Sequence, residues 1–440
     1  MRPILVTGLS IVCAIVCGCR DSQSTAEMHD MLRDYGRLPG LRQTTHDGLR
    51  DELARIEEES ATPEQLMSGG IPDNNNVAVA LSELFAERKL STILERSTEI
   101  YPPDGFRFDP LRLQRAADFV NRHRRQLDNL RRALKRNQCD LRLDHLKGYA
   151  ADTSFIELVR ICGRLEAFHV AELLAAGKRA EAIHSLSSML TLARWLGAEK
   201  HAVARLQAAF LRSEAWDVLS AVAEHRETTD ETIVQLEQLV SDHLAVWPDD
   251  RDAWVGDRAL GMHAYEMIRA GHLQSLLTVD ELKMFSDEGI GGELAVAVHR
   301  HLDEDQMYYL STMRRLIDGC RRPYYERKQL FEQLRSDLQQ RSGRSDYPFI
   351  AARLLLIDVE RGHQIQAQDR ALAEGWAVAL ALAVGHDAPF TLNPLTGRPY
   401  HVSVEETRVV VSDTAAIGSD GDRRLVVPRV RVSTTNPGSR

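Results

Sequence analysis

The sequence lacks the short signatures that announce a catalytic centre. It has no His-Glu-x-x-His, the ligand spacing of a helical zinc site. It has neither Gly-x-Ser-x-Gly nor Ser-x-x-Lys, the local frames of activated serines. Gly289-Ile290-Gly291-Gly292 is followed by no Lys-Ser/Thr pair and preceded by no strand, so it offers no phosphate cradle. Cysteine is scarce, with six in 440 residues. Charge of one sign is also scarce: the net charge of −9 is mild and acidic, which argues against a general nucleic-acid binder. A hydrophobic fraction of 43% supports a real core, and the length suits one large or two modest domains.

What is present begins at the N-terminus. Met1-Arg2-Pro3 carries one positive charge, and a largely apolar run follows from Ile4 to Val16. The run falls short of the roughly 20 apolar residues of a spanning helix and fits an export signal. Val16-Cys17-Gly18-Cys19 resembles the lipobox of bacterial lipoproteins, with an aliphatic residue three before the cysteine and a small one just before it. Cys13 and Cys17 fit worse, because Val12 and Val16 are too large for the cut. The resemblance implies cleavage between Gly18 and Cys19, acylation of Cys19, and a membrane as partner. An ordinary cleaved signal and an uncut anchor are the alternatives. Acyl chains contribute roughly 0.8 kcal/mol per buried CH₂, enough for several on one cysteine to hold a protein firmly. The implied location is the cell envelope, facing the periplasm. Arg20 stands where an inner-membrane retention Asp would, which favours the outer membrane. After cleavage Cys139, Cys162 and Cys320 remain, an odd number that allows one bridge at most. Cys139 and Cys162 could form it; buried free thiols are the plainer reading.

The periodicity predicts a mainly α fold of antiparallel helical hairpins with a small C-terminal β-hairpin element. The expected divisions are a signal at 1–18, a polar tether at 19–48 and a helical domain at 49–345. Apolar helices at 346–385, a small β element at 386–433 and a disordered tail at 434–440 follow. Helices are expected near 49–59, 77–90, 110–137, 153–176, 179–197, 199–225, 229–245 and 252–270. Others are expected near 279–286, 291–302, 304–318, 323–340, 348–360 and 371–384. Asp73 or one of Asn74–Asn76 should cap the second, and Thr229 or Asp230 the helix near 229–245. His401–Val404 and Arg408–Val411 read as a hairpin, and Pro428 confines any third strand to an edge.

Several segments in this order resemble a large family of exported, mostly helical proteins from planctomycete-type bacteria, one with no established activity. They are Ile71-Pro72-Asp73-Asn74-Asn75-Asn76, Cys139-Asp140, Gly256-Asp257-Arg258, Asp305 through Tyr309-Leu310 to Met313, and Asn393-Pro394-Leu395-Thr396-Gly397-Arg398-Pro399-Tyr400. The last also resembles the C-terminal turn of secretion pseudopilins, with Asn393 in place of Asp. The resemblance implies a fold and no mechanism.

Residues with chemical potential are few. Glu166-Ala167-Phe168-His169 and Glu181-Ala182-Ile183-His184 are two Glu-x-x-His motifs, the half-sites of a carboxylate di-iron centre. A hairpin turning near Gly177 sets 181–184 opposite 172–175, not opposite 166–169, so no metal or other cofactor is expected. His299 and His301 with Asp303, Glu304 and Asp305 face different sides of one helix. Cys320 lies beside Arg321 and Arg322, which would lower an exposed thiol's pKa. Gly418–Asp422 is an oxygen-rich loop that reads as a turn before a calcium site. The helix near 110–137 carries a basic face whose Arg122, Arg124, Arg125, Arg131 and Arg132 could meet anionic headgroups or an acidic envelope protein. The expected role is a membrane-anchored, non-enzymatic binding or scaffold module, with no nucleic acid. The alternative is an enzyme, a hydrolase or metal-dependent, with a dispersed site drawn from Glu166, His169, His299 or His301.

Overall fold

The computed structural model describes residues 44, 46–67, 70–85, 89–103, 105–270, 300–344, 346–414, 417 and 423–430. Gly18, Cys19, His299, the loops at 289–292 and 418–422, and the tail at 434–440 lie outside them, as do the expected helix at 279–286 and nearly all of that at 291–302.

Among the described residues the fold is mainly α with a small three-stranded antiparallel sheet near the C-terminus. The first six helices are α1 (Asp47–Glu58), α2 (Pro63–Leu66), α3 (Val77–Leu84), α4 (Leu90–Ile100), α5 (Pro110–Arg122) and α6 (Arg124–Ala133). A 3-10 turn over His145–Ala150 leads to α7 (Ser154–Ala175), α8 (Arg179–Ala198), α9 (Ala202–Ala223), α10 (Asp230–Ala245) and α11 (Asp250–Arg269). Then come α12 (Leu302–Gly319), α13 (Tyr324–Arg341) and α14 (Val359–Val384), followed by β1 (His401–Val404), β2 (Arg408–Ser412) and β3 (Leu425–Pro428).

Local chemistry sets many of the helix starts. The Asn76 side chain accepts the Ala78 N–H, Thr229 accepts from Thr232, and Asp249 accepts from Arg251, each meeting a donor the helix leaves unpaired. Thr62 and Gln65 form a reciprocal capping box around α2, a helix the periodicity did not reveal. Nor did it reveal α4, whose N-cap, Lys89, makes no side-chain cap bond.

Three expectations about helices need correction. The helix expected over 110–137 is two helices. At His123 the backbone leaves helical values (φ −112°, ψ 20°), and the ring turns inward against Phe119 and Phe85. The helix expected over 348–360 is a short, wide π-type turn at Ala351–Leu355. The Asp305 carboxylate accepts the N–H groups of Ile350 and Ala351 at 2.8 and 2.9 Å, pinning the turn's entry. Finally, α14 begins at Val359 and not near 371. Its first half is studded with Gln366, Gln368 and Asp369, which broke the apolar rhythm, yet all three are buried.

Among the described residues the core is built in three large apolar clusters and a small fourth of Leu206, Ala209 and Ile365. One gathers α7 to α10, α14 and the sheet around Trp216 and Trp376. A second joins α1, α11, α12, α13 and the start of α14. The third packs α3 to α6 onto α7, α8 and α9. Helix α14 thus serves the first, the second and the small fourth. The strand order is β1-β2-β3, with Val402 opposite Val411 and Val409 opposite Val427. Pro428 sits on an edge strand, where its missing N–H costs no ladder bond. Val409, Val411, Leu425 and Val427 turn toward α14, and Tyr400 donates its hydroxyl to the Ala371 carbonyl at 3.0 Å.

Asn393 organises the turn that leads into the sheet. Its Oδ1 accepts from Leu395 N–H at 2.8 Å, while Nδ2 donates to the carbonyls of Asp413 and Thr414 at 2.6 and 2.8 Å. The residue is fully buried. An aspartate has no donor for those carbonyls, which accounts for the asparagine here. Asn393→Asp should therefore destabilise the fold, at roughly 1–3 kcal/mol per unmatched group, more for a charged one. Urea denaturation monitored by circular dichroism checks this; a loss below about 0.5 kcal/mol, the level of a surface change, would contradict the assignment.

Candidate functional site

The basic helix and the first Glu-x-x-His motif, separate features in the sequence, turn out to be each other's partners. Glu166, His169 and Glu172 recur at i, i+3 and i+6 along α7 and so share a face. Helix α6 and the end of α5 lie over that face. Arg131 reaches Glu166 at 3.2 Å and Ser185 of α8 at 2.7 Å. Arg124 spans both Glu172 oxygens at 3.1 Å, and His169 Nδ1 lies 2.9 Å from Glu172 Oε2. Burial would raise the Glu172 pKa, but the bonds from His169 and Arg124 outweigh it and hold the carboxyl below its ordinary value. Burial lowers the His169 pKa despite Glu172, so the ring is neutral and can donate to that carboxylate.

Arg131 and Arg124 are therefore turned toward the body. Of the five arginines expected on an anionic surface, Arg122, Arg125 and Arg132 are the exposed ones. The second motif does not join the first, because Glu181 and His184 are exposed on α8. Among the described residues no three His, Cys, Asp or Glu side chains converge to hold a metal ion. Glu166 is instead a fully buried carboxylate matched by a guanidinium, an arrangement that fixes helix positions and leaves no free base.

The acidic cluster near 303–305 is also absorbed into structure. Asp303 pairs with Arg269 at 2.5 Å and with the Thr44 hydroxyl, tying the start of the described chain to α12. Asp305 is buried and takes the Tyr265 hydroxyl besides the two N–H groups of the π-type turn. Cys320 does not become an activated thiol. Burial pushes its pKa up to about 12, against Arg327, and Arg321 and Arg322 are exposed. Its Sγ is 3.8 Å from His363 Nδ1, but that nitrogen also accepts from Arg327 at 3.1 Å, and the ring stacks on Trp254 at 4.3 Å. Nothing in the sequence singled out His363, a lone histidine within a long helix. Cys139, Cys162 and Cys320 are free thiols.

No protein family, curated protein or solved structure matches this chain. No helix of the described residues is long and apolar enough to cross a membrane.

Buried neutral histidines are a recurring device. His201 caps α9 by accepting the Ala204 N–H at Nδ1, 3.1 Å away, a role that requires an unprotonated nitrogen. Burial, with His145 nearby, lowers its pKa to about 4. Burial, with Lys200, does the same to His145. The carboxyls of Glu199 and Asp257, pushed up to about 7 by burial, have the opposite pH dependence, so a variant comparison isolates the histidine. Its folded pKa lies below the unfolded one. Its contribution is then full above about 6.5 and is lost as pH falls toward 4. His201→Asn keeps a cap acceptor and removes the titration. Relative to that variant, the native chain should lose about 1.4 kcal/mol per pH unit between pH 6 and pH 4.5. Parallel stability curves in urea would rule this out. Independently, Arg131→Ala strands the Glu166 carboxylate and should cost about 3 kcal/mol, whereas Arg125→Ala at the exposed face should stay within about 0.5. Equal effects in thermal denaturation would show that the seam is not what holds α6.

Proposed function

We propose that this chain is a lipid-anchored protein of the cell envelope, cut behind Gly18 and acylated on Cys19, whose helical body is a non-enzymatic binding or scaffold module facing the periplasm. The observation that carries this reading is Val16-Cys17-Gly18-Cys19, standing behind one positive charge and a short apolar run. The body supports the second half of it. Glu166 is spent on Arg131, Glu172 on Arg124 and His169, and Asp305 on a backbone turn. Arg20 after the cysteine favours the outer membrane. The exposed Arg122, Arg125 and Arg132 favour an acidic partner for the body, a headgroup or an envelope protein.

The test is the anchor itself. The native chain should partition into the detergent phase and yield an N-terminal fragment that begins at an acylated Cys19. Cys19→Ala should move to the aqueous phase or persist as an uncut precursor. An intact Met1, or an unmodified Cys19, in the native material would overturn the reading.

A further inference from the structure

The clearest unpartnered feature is the outer side of α5 and α6. Both helices pack inward on α7 through Phe119, Val120, Leu127 and Leu130. Along α5 the residues Leu111, Arg115, Asp118 and Arg122 recur at i, i+4, i+7 and i+11, which puts them on one line of the helix. Arg125, Asp128 and Arg132 form a similar line on α6, and Lys135 follows its end. All of these are exposed, so the two lines look away from the body.

The cations of this pair divide by partner. Arg124 and Arg131 turn in to Glu172 and Glu166, Arg112 meets Asp109 at 3.4 Å, and Arg136 meets the Asn76 carbonyl at 3.1 Å. Among the described residues the outer Arg115, Arg122, Arg125, Arg132 and Lys135 form no ion pair. Only Asp118 and Asp128 stand among them, which leaves three positive charges in excess in a chain of net charge −9. On α13, by contrast, the outward arginines are matched: Arg341 pairs with Asp337 at 3.2 Å and Arg335 with Glu360.

An apolar side chain shares the outer line. Leu111 is 59% exposed, the most of any large apolar side chain among the described residues. Cations with an apolar residue beside them suit the boundary between headgroups and acyl chains. The charges are also strung along roughly 35 Å of helical chain, at 1.5 Å per residue, and so match an extended anionic surface better than a point ligand. The anchored chain can bring them there. Residues 20–43 reach at most roughly 80 Å when extended. Confinement within that reach raises the effective concentration of the face at the bilayer, so a docking too weak to recruit a free body can hold a tethered one.

We propose that the outer side of α5 and α6 docks on anionic lipid headgroups, with Arg115, Arg122, Arg125 and Arg132 over the phosphates and Leu111 at the acyl boundary. The inference deepens the anchored reading and rests on it for bringing the body to a bilayer.

The experiment places the full chain on phosphatidylcholine vesicles with and without phosphatidylglycerol. An environment-sensitive dye on Leu111→Cys reports the face, with the native chain taken through the same labelling as the blank. Retention on the neutral vesicles reports the anchor separately. A blue shift on the anionic vesicles alone, lost at high salt while the chain stays bound, is expected. Arg122→Gln, Arg125→Gln and Arg132→Gln should each lower the docked-to-free ratio read from the dye roughly fivefold, and Arg341→Gln on α13 should leave it unchanged. Circular dichroism checks that each variant is folded. A dye that stays in water on both kinds of vesicle would overturn the proposal, even where the chain is retained, and leave the face to an acidic protein. Equal shifts on both, or a shift indifferent to the three arginine variants, would overturn it as well. A chain that neutral vesicles fail to hold, yet whose dye still shifts on anionic ones, would sink the anchor and keep the face.

Discussion

The ion pair between Arg212 and Asp369 is the constraint on which the packing of the rest depends. It joins α9 to α14 across 157 residues of chain, and neither side chain is exposed by more than 1%. Taking two such charges out of water costs several kcal/mol for each ion, and their attraction offsets this only when geometry is good. The pair therefore adds little net stability and much selectivity. A turn of α14 by one residue position would swing Asp369 about 100° away and leave two charges buried without partners. The rotation of α14 in turn decides which of its residues meet the sheet, which meet α10, and which meet the start of α11.

The same logic recurs at smaller scale. Trp254 donates to Gln366 at 2.8 Å, which sets α11 against α14. Asn76 ties the start of α3 to Asp140 through both halves of its amide. Asp305 holds the π-type turn, and Asn393 holds the approach to the sheet. Each is a buried polar side chain whose partners lie far away in sequence. The apolar clusters supply the bulk driving force, which is nondirectional. These few polar contacts choose one arrangement among the many that would bury similar area.

A body organised in this way is suited to holding shape. The carboxylates Glu166, Glu172 and Asp305 are committed to partners within it, and the arginines of its basic helix are divided between an inner seam and an outer face.

Much of the fold was legible in the sequence because it depends on neighbours a few residues apart. Apolar residues at helical spacing marked α7 to α13, capping residues marked the starts of α3 and α10, and alternating valines with Pro428 marked the hairpin and its edge. The N-terminal export pattern is likewise a local feature. The same short-range reading failed where polar residues are buried. It lost the first half of α14, whose Gln366 and Asp369 break the rhythm, and it ran α5 and α6 together past His123. It also recognised Glu166, His169, Arg124 and Arg131 without pairing them, since Arg131 and Glu166 stand 35 residues apart. Local spacing thus determined the helices, the hairpin and the expected anchor. Only the tertiary structure decided which charges cancel, because a charge's partner and its burial are set by distances through space.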